Sequence, residues 1–179
     1  MPALRKASAY SKKIVVPYTR VSKKKGKSYI KSVPPQKIVK FDMGKGDLFR
    51  SGKLPHVLTL ISDENVQIRQ NALESCRQFI NKKLEVGLKG NYFFKILPYT
   101  HHVQRENKMI TGAGADRMQT GMQLSFGRTM GKSAIVKKRT RILFVAVANP
   151  KAIALARHTF KQIRSKLPGK TVISYEIQK

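Results

Sequence analysis

Residues 112 to 132 read GAGADRMQTGMQLSFGRTMGK, with five glycines, three basic side chains and one acid, a composition suited to cradling a phosphate. Two phosphate loops are nearly present. GAGADR supplies the first two glycines of GxGxxG, but Arg117 stands where the third must let a helix pack closely on its strand. GRTMGKS resembles GxxxxGK(S/T) with one residue missing between Gly127 and Gly131. Its sequel, SAIVKKRTRILFV, reads as strand, so no helix follows to aim a positive dipole end at the anion. No acid lies between Asp116 and Glu176 to help hold magnesium. Neither loop is complete.

The other reactive side chains are sparse. His101 and His102 are adjacent, so on a strand they point to opposite faces and cannot share a metal. His56 and His158 stand alone, and the single cysteine, Cys76, has no partner for zinc or a disulfide. Glu106 and Asp116 are the only acids near the loop and sit among arginines. No catalytic residue, metal, cofactor or small-molecule substrate is expected. What remains is a loop, 109–121, with no period of its own, which in a compact domain points to function or disorder. Gly112, Gly114 and Gly121 free its backbone for close approach. Arg105, Lys108 and Arg117 bring charge, and Met109, Met118, Met122 and Met130 bring adaptable apolar contact. This pattern suits a finger that touches RNA.

The elements that must hold this finger follow from periodicity. KIVKFDMG (37–44) reads as a short strand ending at a glycine. A glycine-bearing, polar link is expected next, then a helix capped by Ser62 or Asp63. Val66, Leu73, Cys76, Ile80 and Leu84 share its inner face, with Ala72 and Phe79 beside them, and Gly87 ends it. NYFFKILPY (91–99) is a strand, and HHVQRENK (101–108) a candidate partner running back. Residues 133–149 give two strands around a basic link; the run Ile142 to Ala148 implies burial on both faces. Asn149 and Pro150 open a second helix, in which Ile153, Ala156, Phe160, Ile163 and Leu167 recur at helical spacing until Pro168–Gly169. TVISYEIQ closes the chain as a strand with Ile173, Tyr175 and Ile177 inward. Adjacent strands demand hairpins, so the class is α+β: a mixed, largely antiparallel sheet with two helices packed on one face. The long glycine-rich loop and a basic N-terminal arm complete it. The arm spans 1–35 and a single domain spans 36–179, with the loop 109–121 protruding.

Charge names the partner. Thirty-seven Lys and Arg against nine acids give a net +28 on 179 residues. Residues 1–40 carry twelve of these cations and no acid; residues 117–175 carry thirteen and no acid. Such a surface repels itself and calls for a polyanion, nucleic acid above all. Phosphate contacts are assigned to Lys12, Lys13, Arg20, Lys23, Lys24 and Lys25 in the arm, and to Arg105 and Lys108 at the loop. Arg128, Lys132, Lys137, Lys138 and Arg139 complete the set. Tyr10, Tyr18 and Tyr29 interleave the arm's lysines and can stack on bases. The basic runs lack the apolar face that a membrane-surface helix needs, and no apolar run reaches the ~18 residues of a span. No signal peptide is read, and the lone cysteine fits a reducing, intracellular setting.

The run RENKMITGAGADRMQTGM (105–122) resembles the long loop of a known family, the large-subunit ribosomal proteins termed L16 in bacteria and L10e in archaea and eukaryotes. KIVKFDMG, ALESCRQFINKKL, SFGRTMGKSA and KLPGKTV are similar in the same order, over roughly residues 36–176, in an archaeal–eukaryotic manner. The chain departs from the usual pattern at Glu106, at Gln123, Leu124 and Ser125, and at Thr129. The resemblance implies a mixed sheet, two helices and a hammerhead-like β extension. It also implies a cytoplasmic seat on large-subunit rRNA near the aminoacyl-tRNA site, among neighbouring ribosomal proteins, with late assembly. The loop, with Gly112, Gly114, Arg117, Gln119 and Gly121, would then face tRNA acceptor arms. Two other classes stay open at this point. One is an RNA-acting enzyme using His101, Glu106 or Asp116; the other is a free DNA-compacting protein.

Overall fold

The computed structural model describes residues 32–106 and 128–178. Along the chain it holds β1 (Asp42–Gly44), α1 (Gly46–Arg50), β2 (His56–Ser62), β3 (Val66–Arg69) and α2 (Gln70–Leu88). Then come β4 (Tyr92–Ile96), β5 (His102–Glu106), β6 (Arg128–Val136), β7 (Arg141–Val147), α3 (Pro150–Ile163) and β8 (Thr171–Ile177). The strands form a five-stranded sheet in the order β1-β4-β7-β2-β8 and a three-stranded sheet in the order β3-β6-β5. The α+β class holds. The strands are divided between two sheets rather than gathered in one, and every described pairing is antiparallel.

β7 lies at the centre of the larger sheet, which explains its unbroken apolar sequence. Leu143, Val145 and Val147 face the cluster made with Leu73, Cys76, Ile80 and Leu84 of α2 and with Ala156, Phe160 and Ile163 of α3. Ala146 and Phe144 face the other way, into a smaller cluster with Leu54, Val57 and Phe49. At the irregularity between Leu60 and Ile61 the register skips Ile142, and both Ile142 and Leu143 become fully buried in the main cluster. An extra residue in one strand turns two successive side chains toward one side. Deleting a ring such as Phe160 from this core would cost about 3–5 kcal/mol.

Several local expectations are corrected. The span expected as a polar link contains α1 and β2, and β2 is an interior strand between β7 and β8. Ser62 ends β2 instead of capping a helix, and its Oγ donates to the carbonyl of Glu64. Val66 belongs to β3, which pairs with β6; the chain passes from strand to helix at Arg69 without a side-chain cap. Val66 and Ile68 are as buried as the helix stripe, so burial pattern alone did not separate the two. Gly87 does not stop α2. The helix runs to Leu88, and Lys89 (φ 47°) and Gly90 (φ 84°) turn the chain out in the left-handed region. At Gly87 a Cβ would meet the end of the Leu155 side chain on α3, so a larger residue there would make that flexible chain shift.

β5 pairs with β6 and not with β4. Asn149 and Pro150 do open α3, and Leu167 stays buried beyond a 3-10 turn at Arg164–Lys166. β8 is an edge strand whose inward row is covered only at Ile173; Tyr175 is 38% and Ile177 62% exposed, against expectation. Before β1, the extended segment 36–41 is tied down at its backbone. Lys37 N–H donates to Gln70 Oε1 (3.2 Å), Val39 N–H to Glu74 Oε2 (3.4 Å), and Ile96 N–H to the Phe41 carbonyl (2.9 Å).

Candidate nucleic-acid interface

The basic link between β6 and β7 is a rigid turn. Thr140 N–H donates to the Lys137 carbonyl (3.1 Å), and Arg139 adopts φ 65°. A non-glycine residue there costs roughly 1–2 kcal/mol. The strain is held by the neighbouring β2–β3 turn. Arg139 N–H donates to the Ser62 carbonyl (2.7 Å), Ser62 N–H to the Thr140 carbonyl (3.0 Å), and Lys138 N–H to Asn65 Oδ1 (2.8 Å). Asp63 N–H in turn donates to the Lys170 carbonyl (3.0 Å), bringing the start of β8 to the same corner. Lys137, Lys138 and Arg139 are all exposed. A backbone this well anchored presents its cations without further ordering.

Acids are placed so that few of these cations are answered. Asp42 pairs with Lys95 (3.3 Å), Asp47 with Arg50 (3.8 Å), Asp63 with Lys138 (3.6 Å) and Glu176 with Arg141 (3.3 Å). Exposed pairs like these contribute about 0–1 kcal/mol and can be exchanged for phosphate. Glu74 and Arg77 differ: their fork is bidentate (2.7 and 2.8 Å) and their side chains are only 13% and 15% exposed. The Arg77 hydrogen bond holds the Glu74 carboxyl below its usual range. Lys137, Arg139, Lys151, Arg157, Lys161 and Arg164 are exposed and make no ion pair among the described residues.

The expected RNA-contacting residues fall into three groups. Lys137, Lys138 and Arg139 come together on the turn. Arg105 and Arg128 lie at the far end of the smaller sheet, Arg105 opposite Thr129 and Arg128 opposite Glu106, where segment 107–127 departs and returns. Lys132 stands between, opposite Val103 on β5 and half-buried. From Arg128 to Lys137 the strand spans roughly 30 Å at about 3.3 Å per residue, so the two charged ends would address different phosphates. Lys12, Lys13, Arg20, Lys23, Lys24 and Lys25 lie outside the described residues. So do Lys108, Gly112, Gly114, Arg117, Gln119 and Gly121.

His102, the first residue of β5, is buried, while His101 precedes the strand and is exposed, its ring 3.0 Å from the Tyr99 carbonyl. No three His, Cys, Asp or Glu side chains gather closely enough to hold a metal among the described residues. No described helix is long and apolar enough to cross a membrane. Burial pushes the Cys76 thiol up to about 12, which leaves it inert as a nucleophile. Sequence reading overlooked the polar interior of the smaller sheet, where Gln67 Nε2 donates to Ser133 Oγ (2.9 Å) beside buried His102 and Gln104. It also overlooked Asn65, whose asparagine-in-a-turn signature was available.

The sequence profile described as "Ribosomal protein L16p/L10e" matches residues 16–174. The chain belongs to the L16p/L10e family of ribosomal proteins. Among its relatives, the large ribosomal subunit protein uL16 of Methanospirillum hungatei is 39% identical over 153 residues, covering 85% of this chain and 87% of the relative. That of Archaeoglobus fulgidus is 37% identical over 174 residues, covering 96% and 93%. That of Thermofilum pendens is 42% identical over 154 residues, covering 85% and 84%. Within the L16p/L10e chain the resemblance first carried by the loop thus extends over the sheets and helices that bear it.

Proposed function

We propose that this protein is a structural, non-catalytic constituent of the large ribosomal subunit, seated in the cytoplasm on large-subunit rRNA. The reading rests on kinship, over most of the chain, to archaeal proteins named for that subunit. The anchored basic turn supports it, because phosphate is the ligand that answers exposed cations such as Lys137 and Arg139, which have no ion-pair partner among the described residues. Phosphate can also replace the exposed Asp63 partner of Lys138. In this reading residues 1–35 are a basic arm with Lys12, Lys13, Arg20 and Lys23 to Lys25 on phosphates. Residues 36–179 form the rRNA-binding domain. Arg105, Lys108, Arg128 and Lys132 contact rRNA at the root of the loop, and Lys137, Lys138 and Arg139 at the turn.

The loop 109–121, with Gly112, Gly114, Arg117, Gln119 and Gly121, supports tRNA positioning by contact with acceptor arms. Neighbouring ribosomal proteins complete the seat, and neither a cofactor nor a membrane takes part. The test is sedimentation of cell extract through a sucrose gradient: the protein is expected to track the large subunit. Recovery with the nucleoid or in the free fraction would refute the assignment. Replacing residues 111–121 by a short turn should leave that sedimentation intact and slow tRNA-dependent steps. Unchanged translation by such ribosomes would remove the role in tRNA positioning alone.

A further inference from the structure

The outer face of the five-stranded sheet, away from α2 and α3, carries a cleft of about 520 Å³. Three phenylalanines from three elements make its floor: Phe49 of α1, Phe93 of β4 and Phe144 of β7. Phe49 and Phe93 stack with centroids 5.3 Å apart and 19° between planes. Phe144 stands edge-on to both, at 81° to Phe49 and 68° to Phe93. The rings therefore form a corner, and each remains partly exposed. The rim is cationic. Arg50, Lys95 and Arg141 line the cleft; each has an exposed acid neighbour, Asp47 (3.8 Å), Asp42 (3.3 Å) and Glu176 (3.3 Å), in pairs weak enough to be exchanged for phosphate. The register creates this arrangement by setting Lys95 opposite both Asp42 and Phe144. The Arg50 side chain is 83% exposed, so its guanidinium is free to turn toward an anion.

We propose that this cleft receives one unstacked base of the large-subunit RNA. The base stacks in the phenylalanine corner, and its flanking phosphates meet Arg50, Lys95 and Arg141. An uncharged planar ring with an anion on either side is what an aromatic floor with a cationic rim recognises. An apolar side chain from a neighbouring protein would fill the floor but offer the three cations nothing beyond their present exposed pairs. Stacking is tolerant of base identity, so the site selects an extruded nucleotide by shape and not by sequence. This inference rests on the proposed rRNA binding and places one of its contacts.

The test uses the full chain bound to purified large-subunit rRNA. Ultraviolet irradiation followed by nuclease digestion and mass spectrometry should find nucleotide adducts on peptides bearing Phe49, Phe93 or Phe144. Phe144→Leu and Phe49→Leu should each weaken rRNA affinity on the order of tenfold. The salt dependence should keep its slope, since no phosphate contact is removed. Arg50→Glu, at an exposed position with no packing role, should also weaken binding, and it covers the case in which a leucine variant misfolds. If wild-type protein binds with steep salt dependence while all three variants bind equally well, the cleft proposal fails and rRNA binding stands. If wild-type protein does not bind the rRNA, both fail. Cross-linking of Lys95 to another ribosomal protein in intact subunits, without nucleotide adducts, would assign the cleft to a protein and overturn the proposal.

Discussion

At the scale of single residues, strain and burial mark different roles. Arg139 holds a left-handed backbone that glycine would adopt freely, and its side chain projects into solvent from a turn fixed by three backbone hydrogen bonds. Arg139→Gly should raise stability by about 1 kcal/mol by relieving that strain. The same change should weaken rRNA binding and make the salt slope shallower by about one. Thermal melting and a salt titration read the two effects; a variant that loses both stability and affinity would contradict this account. Cys76 shows the opposite logic, since its burial outweighs both the nearby charge of Lys166 and the hydrogen bond with Ser75. Its thiol titrates near 12 in the fold against about 9 unfolded, so folding favours the neutral form. That stabilisation is complete below pH 9 and is lost as pH rises toward 12. Native protein at pH 8 should therefore resist thiol alkylation that goes to completion in denaturant. Rapid native modification would show that the interior opens.

Elements are held by polar clasps laid over apolar packing. Segment 36–41 crosses α2 with its backbone on Gln70 and Glu74, and Glu74 is itself gripped by the Arg77 fork. Glu74→Ala would strand a half-buried guanidinium and release Val39, a loss on the order of 2 kcal/mol, the scale of hydrogen bonds to charged groups. Hydrogen exchange should show the amide of Val39 losing protection before those of β4. The contribution depends on ionised Glu74, whose carboxyl titrates below its ordinary 4.5. It is present above that value and disappears as pH falls through the depressed one. The β6–β7 and β2–β3 turns clasp each other in the same way through Asn65, Ser62 and Arg139. That clasp joins the edge of the smaller sheet to the larger one.

For the whole molecule the governing quantity is charge. A net +28 is self-repulsive, and the exposed ion pairs offset little of it. In the proposed seat, rRNA phosphates would neutralise that charge while the counterions condensed on the RNA are released. With about 10 phosphate contacts, log K should fall against log salt with a slope of about −7 to −9. Affinity indifferent to salt would contradict phosphate-dominated docking. The free protein should also melt at a higher temperature when salt is added, because screening lowers the same repulsion.

Much of this was legible in order of residues alone. The cationic excess, the buried run of β7, the inner faces of α2 and α3, the start of α3 at Pro150 and the inert Cys76 follow from composition and short-range periodicity. The family was legible in AGADRMQTGM. Periodicity reports which face of an element is apolar, but not which element will cover it. Only the fold therefore decided that β5 pairs with β6, that Val66 to Arg69 is strand rather than the first turn of a helix, and that Tyr175 and Ile177 stay exposed on the edge strand. It likewise decided that Arg139 is strained and that Phe49, Phe93 and Phe144, far apart along the chain, share one corner. Each of those outcomes depends on contacts between distant segments, whose free energy no local window of sequence contains.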